Sequence, residues 1–295
     1  MELRQLEYFV AVAEEANFTR AAERVHISQS GVSAQVRQLE RELGADLIDR
    51  SNRSAKLTAS GAAALAPARA ALAAAAAVRQ AVDDVNELMR GRLAVAMVTA
   101  CTVAPFFDAL AAFHRAHPGV EIELHEDNSD RMIEQVRAGL VDLALVGCAG
   151  APPADLESFA IVSEGLVAVV PPDHALAKRR KVALAELVTH PLVCLPAGTG
   201  IRSVLDRACA AQGLRPIVTV QASAPDAVVD LASRGLGVAI LSESMTAAHK
   251  GHLARVAITG VDTPAVLALV WSGPPNAARS ELLRHCTATF TPPAA

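Results

Sequence analysis

The sequence has no long run of apolar residues. Its longest uncharged apolar stretch, Ala70–Val78, is less than half of the roughly 20 residues that a membrane-spanning helix needs. The opening residues, MELRQLEYF, lack the apolar centre of a signal peptide. We therefore expect a soluble cytoplasmic protein with no membrane partner.

Neither sign of charge is in large excess. The chain has 27 Lys and Arg against 31 Asp and Glu, a net charge of −4, so the total gives no indication of a nucleic-acid partner. Aromatic residues make up only 3% of the chain, because alanine supplies much of its 52% apolar content. A case for DNA binding must therefore depend on where the charged and polar residues are placed.

Patterned cysteines and catalytic motifs are also lacking. The five cysteines are scattered without a C-x-x-C pair, so we expect free thiols in a reducing compartment. G-x-S-x-G, H-E-x-x-H and Gly-rich Lys motifs are missing. The pairs His114 with His117 and His249 with His252 have no neighbouring carboxylate or thiol, which favours surface histidines over a metal site. The sequence predicts no enzymatic activity, no metal and no cofactor.

Residues 17–44 have the pattern of two short helices joined by a turn. Asn17 and Ser28 are good N-caps, because a short side-chain oxygen can accept from the free N–H groups of a first helical turn. Gly44 fits the left-handed position that ends a helix. The second helix would have one apolar stripe, consisting of Val32, Val36, Leu39 and Leu43. Its exposed start carries side chains suited to reading base edges in a major groove, namely Gln29, Ser30, Ser33 and Gln35. This pattern predicts a helix-turn-helix at about residues 18–37.

A cationic hairpin is predicted directly after Gly44. Residues 46–58 contain Arg50, Arg53 and Lys56, and no acidic residue follows Arg50 in this segment. A cationic tip beside a recognition helix can contact phosphates or enter a narrow minor groove. We assign Arg50 and Arg53 to that role.

Helices are predicted on both sides of this region. Residues 3–16 have amphipathic spacing and would complete the small core. Residues 59–90 are mostly alanine, the strongest helix former, with a cap at Thr58 or Ser60 and an end at Gly91. A loose heptad stripe favours pairing with the same helix of a second copy, and the alternative is a low-complexity alanine spacer. The stripe consists of Leu65, Ala68, Leu72, Ala75, Val82 and Met89.

Residues 91–295 alternate between short apolar strands and amphipathic helices that end at Gly or Pro. This alternation predicts parallel α/β layers, and the length suits two small lobes. The predicted strands are LAVAMV, VEIEL, VDLALVG, GLVAVVP, PLVCLP, PIVTVQ, GVAIL and VLALVW. The predicted helices are PFFDALAAFHRAH, DRMIEQVRAG, IRSVLDRACAAQG and PDAVVDLASRG.

The N-terminal pattern resembles the DNA-binding domain of the LysR-type transcriptional regulators. Several fixed spacings match the family, at Ala21-Ala22, Val25, Gln29, Ser33, Gln35, Leu39-Glu40, Leu43-Gly44, Arg50, Arg53 and Leu57-Thr58. Ile48 stands where the family usually has Phe. Ala34 stands where many members have Arg or His, so one base or phosphate contact is not expected here. Residues 117–146 and 234–244 resemble the family's effector domain.

The resemblance implies three parts: a winged helix-turn-helix at residues 1–58, a dimerising linker helix at 59–90 and an effector domain at 91–295. The effector domain would be a two-lobed α/β structure like the periplasmic binding proteins. Its first lobe would comprise about 91–162 and 266–295, and its second about 163–265. The family also implies a homodimer through the linker helix and a homotetramer built from two kinds of dimer contact.

Polar residues that follow three of the strands mark a candidate ligand site. Ligands of α/β lobes bind beyond the carboxyl ends of strands, near helix N-termini, and by position these segments match the family's inducer cleft. Backbone N–H groups, hydroxyls and an arginine would favour a small anionic effector. The candidates are Thr99, Cys101, Thr102, Ser129, Thr199 and Arg202. The alternative is that each hydroxyl only caps its own helix.

Taken together, the residues and the resemblance predict a sequence-specific DNA-binding bacterial regulator. Its partners would be double-stranded DNA with an inverted repeat and a small effector bound between two lobes. Two other classes stay open: a solute-binding module that keeps the helix-turn-helix only as a dimer contact, and an α/β enzyme. Some family members sense peroxide with a cysteine pair, which Cys194 and Cys209 could imitate, and the alternative is that these thiols are small apolar fillers.

Overall fold

The computed structural model describes residues 1–50, 55–85, 91–101, 103–249, 253–273 and 275–290. They form two compact units, a helical one built mainly from the chain before Gly91 and an α/β one built mainly from the chain after it. The elements of the helical unit are α1 (Leu3–Glu15), α2 (Phe18–Arg24), α3 (Gln29–Leu43), β1 (Ile48–Asp49), β2 (Lys56–Leu57) and α4 (Ala59–Val85).

Both predicted N-caps of the helix-turn-helix are confirmed. Asn17 Oδ1 accepts from two backbone N–H groups of α2, at 2.8 and 3.2 Å. Ser28 Oγ accepts from the third residue of α3 at 3.1 Å. Gly44 ends α3 in the left-handed conformation, with φ 68°. Local capping chemistry therefore sets the bounds of the two helices.

The core of the helical unit lies where α1, α2 and α3 meet. Its fully buried side chains include Phe9, Val12, Val32, Val36 and Leu39. Leu43, the last member of the predicted stripe, is instead 47% exposed. The last turn of α3 projects beyond the buried part of the helix, so the spacing that buries the earlier residues leaves this one in solvent.

The hairpin predicted after Gly44 is confirmed by the antiparallel pairing of β1 with β2, in which Ile48 faces Leu57. Residues 51–54, its tip, lie outside the described residues.

The first turn of α4 lies directly against the chain that enters this hairpin. Thr58 caps α4, because its Oγ1 accepts from Gly61 N–H at 3.0 Å while donating to Asp46 O at 2.6 Å. The Thr58 N–H donates to Leu47 O at 3.0 Å. A Cβ on Gly61 would lie 2.1 Å from the same carbonyl oxygen, so only glycine permits this approach.

One face of α4 packs on α1. Leu65, Ala68 and Leu72, which the heptad pattern assigns to pairing between copies, instead contact the core of their own unit. Arg69 of α4 reinforces the contact, since its Nη2 lies 2.8 Å from Glu14 Oε1 on α1. The opposite face of α4 is apolar and exposed, and consists of Ala63, Ala66, Ala70, Ala74 and Val78.

The α/β unit begins with a strand at Gly91, and residues 86–90, which hold the predicted end of the linker helix, lie outside the described residues. Gly91 is the first residue of β3, with φ 116°. The elements of this unit are β3 (Gly91–Val98), α5 (Ala104–Ala116), β4 (Val120–Asp127), α6 (Ser129–Arg137), β5 (Leu143–Ala149), β6 (Glu157–Glu164), β7 (Leu166–Val170), β8 (Lys181–Ala183), α7 (Leu184–Leu187), β9 (Pro191–Cys194), α8 (Gly200–Ala211), β10 (Ile217–Gln221), α9 (Pro225–Ser233), β11 (Val238–Ser242), the 3₁₀ helix Ser244–His249, β12 (Ala254–Thr259), β13 (Ala265–Trp271) and α10 (Ala277–Phe290).

Two sheets organise the α/β unit. The five-stranded sheet has the order β4-β3-β5-β13-β6, and the six-stranded sheet has the order β10-β9-β11-β7-β12-β8. The chain crosses from the first sheet to the second at Gly165 and returns between β12 and β13. Each sheet buries its own apolar core, with Phe106 and Phe113 in one and Leu192 and Val204 in the other.

The expectation of parallel layers is only partly correct. β3 is parallel to β4 and β5, and β9 is parallel to β10 and β11. β13, however, is antiparallel to both of its neighbours, and β7 is antiparallel to β11 and β12. Both sheets are therefore mixed, because strands that return from the other sheet enter in the opposite direction.

Candidate DNA-binding face and effector cavity

The start of α3 presents the side chains that the sequence predicted for base reading. Gln29, Ser30 and Gln35 are exposed, and Ser33 is partly buried. The buried valines of α3 hold the opposite side of the helix against the core. Gln29, Ser30 and Ser33 therefore lie on one side of a firmly packed helix, and Gln35 is exposed on the other side of its buried stripe.

Arg50 has two contacts within its own unit, and its predicted DNA contact stays a prediction. Its Nη2 lies 2.7 Å from Oε2 of Glu40, and its guanidinium lies 5.5 Å from the centre of the Phe18 ring. Glu40 is only 5% exposed, and its other oxygen accepts from the N–H groups of Leu47 and Ile48 at 2.9 and 3.1 Å. Arg50 and Glu40 thus tie the hairpin to the recognition helix, a role that the sequence analysis did not assign.

Of the two remaining hairpin cations, only Lys56 lies within the described residues. Arg53 lies outside the described residues, so its predicted DNA contact stays a prediction. Lys56 is exposed on β2, and Ala34 is exposed on α3. An exposed alanine offers no charged contact, as expected from the sequence.

The three predicted ligand segments meet at one cavity in the α/β unit. The cavity has a volume of about 610 Å³ and is lined from both sheets. Of the predicted effector contacts, its lining includes Thr99 after β3, Cys101, Ser129 at the start of α6, and Thr199 before α8. Thr102 lies outside the described residues. The carboxyl ends of β3, β4 and β9 bring these loops together.

Arg202 does not line the cavity. Its Nε lies 2.9 and 3.0 Å from the two carboxylate oxygens of Asp206, one helical turn further along α8. The i, i+4 carboxylate holds the guanidinium on its own helix. The predicted effector contact of Arg202 is therefore wrong, because the Asp206 carboxylate is a nearer partner.

The hydroxyls in the cavity are not helix caps. Asn128 caps α6 by accepting from Arg131 N–H at 3.0 Å, while the buried Ser129 Oγ accepts from Gly147 N–H at 2.9 Å. Thr199 donates to Pro196 O at 2.8 Å and makes no side-chain cap to α8. The alternative that each hydroxyl caps its own helix is therefore wrong for both residues.

Three helices begin at the cavity without a side-chain cap. These are α5, α8 and α9, whose first residues or N-caps are among its lining. The first N–H groups of an uncapped helix need an external acceptor, and the helix dipole favours an anion there. The described lining residues include the carboxylates of Asp127 and Glu164 but no Lys or Arg.

Family models match nearly the whole chain. Residues 3–62 match "Bacterial regulatory helix-turn-helix protein, lysR family", and residues 86–291 match "LysR substrate binding domain". The HTH-type transcriptional regulator YnfL of Escherichia coli (strain K12), itself uncharacterised, is 36% identical over 92% of each chain. The chain belongs to the LysR family.

Solved full-length structures agree with this assignment at the level of the fold. A full-length OxyR variant from Pseudomonas aeruginosa superposes with a TM-score of 0.72 at 23% identity, covering 98% of this chain and 97% of that one. CbnR, a structure solved in complex with its target DNA, superposes with a TM-score of 0.52 at 25% identity, covering 99% and 100% of the two chains.

The LysR-family assignment decides between the three classes that the sequence left open. The chain is a transcriptional regulator with a DNA-binding helix-turn-helix and a substrate-binding domain. Its relatives are regulators and not enzymes.

Sequence reasoning missed one side of the cavity of this LysR-family regulator. Ser242 and Ser244 flank the end of β11 and line the cavity together with Glu164. Both carboxylate oxygens of Glu164 accept from Ser244, one from its N–H at 3.0 Å and one from its hydroxyl. The available signal was the polar Ser242-Glu243-Ser244 segment directly after a predicted strand, the same pattern that identified the other three loops.

The cysteines are free, and most are buried. Cys194 and Cys209 are both 2% exposed. Burial raises the pKa of Cys194 to about 11 and also raises the pKa of Cys209, so both thiols stay protonated at neutral pH. Since the thiolate is the reactive form, these values favour a packing role over peroxide sensing.

The expectation that His117 lacks a neighbouring carboxylate is wrong. Glu281 Oε1 lies 3.5 Å from His117 Nε2 and also 3.5 Å from His285 Nε2. The three residues come together only in the fold, because α10 packs beside the end of α5. His114, by contrast, is exposed as predicted, and the side chains of His249 and His252 lie outside the described residues.

Proposed function

We propose that this LysR-family regulator acts in the cytoplasm as a homo-oligomer on an operator with an inverted repeat. In this proposal residues 1–58 bind DNA, residues 59–90 pair two copies, and residues 91–295 bind a small anionic effector. The observation that carries the effector half is the cavity at which three uncapped helices begin. A second contact between effector domains would join two dimers into a tetramer.

Base reading is assigned to Gln29, Ser30, Ser33 and Gln35. They lie at the N-terminal half of α3, the part of a recognition helix that meets base edges. Amide and hydroxyl side chains can both donate and accept, as base edges require. Arg53 is assigned to phosphate or minor-groove contact, and Arg50 supports it by fixing the base of the hairpin.

Two substitutions separate base reading from backbone contact. Gln29→Ala should weaken binding to the operator by about 5- to 100-fold and leave binding to random DNA nearly unchanged. Arg53→Ala should weaken binding to both and reduce the salt dependence by about one ion. Fluorescence anisotropy on both duplexes at several salt concentrations measures the two effects. Equal losses on the two duplexes for both variants would contradict the assigned roles.

Selection of genomic fragments by the purified protein at near-physiological salt, followed by sequencing, tests the function as a whole. A few recovered sites that share an inverted repeat support the proposal. Uniform, salt-sensitive recovery would mean that the protein binds DNA only by electrostatic attraction.

Repeating the selection with small carboxylates suggested by the neighbouring genes tests the effector half, with the matching neutral amides as controls. A set of carboxylates that changes neither affinity nor footprint, at any recovered site, would count against an anionic effector.

Dimer formation is assigned to the exposed apolar face of α4. Within Ala59–Ala76 only Gly61 and Ala68 are fully buried in the single chain, although this segment of α4 is long and apolar enough to resemble a membrane span. Water is a poor environment for such a face, and a second copy of α4 would cover it. Small alanine side chains allow two helices to approach closely, and the pairing would place two recognition helices on one operator.

A lysine placed on this face should break the dimer. Ala74→Lys puts a charge in the centre of the proposed helix pair, so we expect the dimer dissociation constant to rise at least about tenfold. Ala76→Lys is the matched control, since this exposed residue points away from the stripe of Ala70, Ala74 and Val78. Analytical ultracentrifugation compares the two variants. Equal dimer affinities would place the contact elsewhere.

A further inference from the structure

A cluster of two histidines and one glutamate lies away from both functional regions. His117 is the C-cap of α5, and its backbone N–H donates to Phe113 O. Glu281 and His285 are four residues apart on α10, so they project from one face of that helix. One donor atom from each of the three side chains lies within 4.8 Å of the other two.

The spacing of the donors fits a small tetrahedral cation. Ligand bonds of about 2.0–2.1 Å at tetrahedral angles put the ligand atoms about 3.3 Å apart. Both measured separations from Glu281 Oε1, to Nε2 of His117 and to Nε2 of His285, are 3.5 Å. A cation therefore needs only a small inward movement of the three side chains.

The environment also suits a bound cation. The three side chains are only 17–24% exposed. Nε2 of His117 is buried, and its contact with Glu281 Oε1 at 3.5 Å is too long for a well-formed hydrogen bond, although a buried ring nitrogen normally makes one. The Phe113 ring lies 5.2 Å from the His117 ring and 6.3 Å from the His285 ring, and so restricts both imidazoles.

We propose that His117, Glu281 and His285 bind one divalent transition-metal cation, for which Zn²⁺ is the best match. Two imidazoles and one carboxylate are a known three-ligand set for this ion, with water in the fourth position. Bound metal would join the end of α5 to α10 and so hold the C-terminal helix on the five-stranded sheet.

Arg284 competes for the same carboxylate and does not prevent binding. Its Nη2 lies 2.5 Å from Oε1 of Glu281, and its Nε lies 2.9 Å from Oε2. The Arg284 side chain is 64% exposed, so Nη2 can move into solvent. The contact between Nε and Oε2 can persist and orient the carboxylate behind the metal.

Metal titration of the full-length protein tests the site. We expect one Zn²⁺ per chain with a dissociation constant below about 10 μM by calorimetry. Co²⁺ should produce the visible absorption bands of a tetrahedral site. Excess Zn²⁺, at about a hundred times its dissociation constant, should raise Tm by about 5–10 °C.

Single-ligand variants assign the metal to these residues. His285→Gln and His117→Gln should each weaken Zn²⁺ binding at least about tenfold and abolish the Co²⁺ bands. His114→Gln is the matched control, because His114 lies on the same helix as the cluster but is exposed, and it should bind as the wild type does. Absence of micromolar Zn²⁺ binding by the wild type would overturn the proposal. Unchanged binding by both folded ligand variants would overturn it equally, since the metal would then sit elsewhere.

Discussion

Replacing Glu40 with alanine is expected to destabilise the helical unit by about 2–4 kcal/mol. The carboxylate is 5% exposed and serves three donors at once: the N–H groups of Leu47 and Ile48 and the guanidinium of Arg50. Alanine leaves two backbone donors without an acceptor beside buried side chains. It also leaves Arg50 without its counter-ion, a smaller loss because that side chain is 29% exposed.

The same change should weaken binding to specific and random DNA alike, because it releases the whole hairpin from the recognition helix. Thermal unfolding and anisotropy on the two duplexes measure both effects. Glu40→Gln is the informative comparison, since an amide oxygen can still accept from both N–H groups, whereas the amide NH2 cannot accept from Arg50. We expect it to retain more than half of the lost stability. If alanine and glutamine prove equally harmful, the ion pair rather than the backbone contacts holds the hairpin.

Replacing Gly200 with alanine should strongly destabilise the effector domain. Gly200 begins α8 and is buried against β5. A Cβ at this position would lie 2.5 Å from the carbonyl carbon of Gly147 and 2.7 Å from the backbone nitrogen of Cys148. Backbone cannot rotate out of the way as a side chain can, so the start of α8 must move. We expect a loss of about 2–4 kcal/mol and an altered cavity.

Two other glycines serve as controls for this prediction. Gly165 has open space around the position of a Cβ, so Gly165→Ala should change stability by less than about 0.5 kcal/mol. Gly147→Ala should also be tolerated, because its nearest contact would be Gly200 N at an ordinary 3.4 Å. Thermal unfolding of the three variants decides the matter. If the Gly200→Ala variant has the same Tm as the wild type, the close backbone approach does not require glycine at this position.

Local chemistry was enough to predict much of this structure. The caps at Asn17 and Ser28 and the αL residue Gly44 are read from side-chain type alone, and the structure confirms them. The eight strands and four helices predicted after residue 91 are all present, because each has a clear apolar run or stripe. The three predicted ligand segments do meet at one cavity, because the carboxyl ends of β3 and β4 in one sheet and of β9 in the other all face it.

Two of the missed elements, β6 and α10, have weak local signals, whereas the missed β12 has an alternating pattern that could have predicted it. β6 has exposed and half-buried residues throughout, and lies at the edge of its sheet. α10 has only a narrow apolar stripe, Ala278, Leu282 and Cys286, and many polar residues around it, so its pattern is weaker than those of the predicted helices. The direction of strand pairing could not be predicted either, because the apolar pattern of β13 is equally compatible with parallel and antiparallel pairing. Only the path of the chain between two sheets determines it.

Side-chain partners were the least predictable feature. Arg202 was assigned to a ligand, yet it forms an ion pair with Asp206, one helical turn away. The i, i+4 spacing of these two residues can be read from the sequence. Arg50 was assigned to DNA, but its partner Glu40 stands ten residues earlier on a different element. His117 and Glu281 are far apart in the chain, so only the packing of α10 could bring them together.

The contact between Gly61 and Leu47 fixes the start of α4 against the hairpin to which we assign DNA contact. No side chain separates the two backbones, so residues 58–61 cannot act as a hinge. The 27 residues of α4 make a rod about 40 Å long. A tilt of about 10° between two such rods would move one hairpin by about 7 Å, the length of about two base pairs. A small change in the crossing of two α4 helices would therefore change which operator spacing the protein fits.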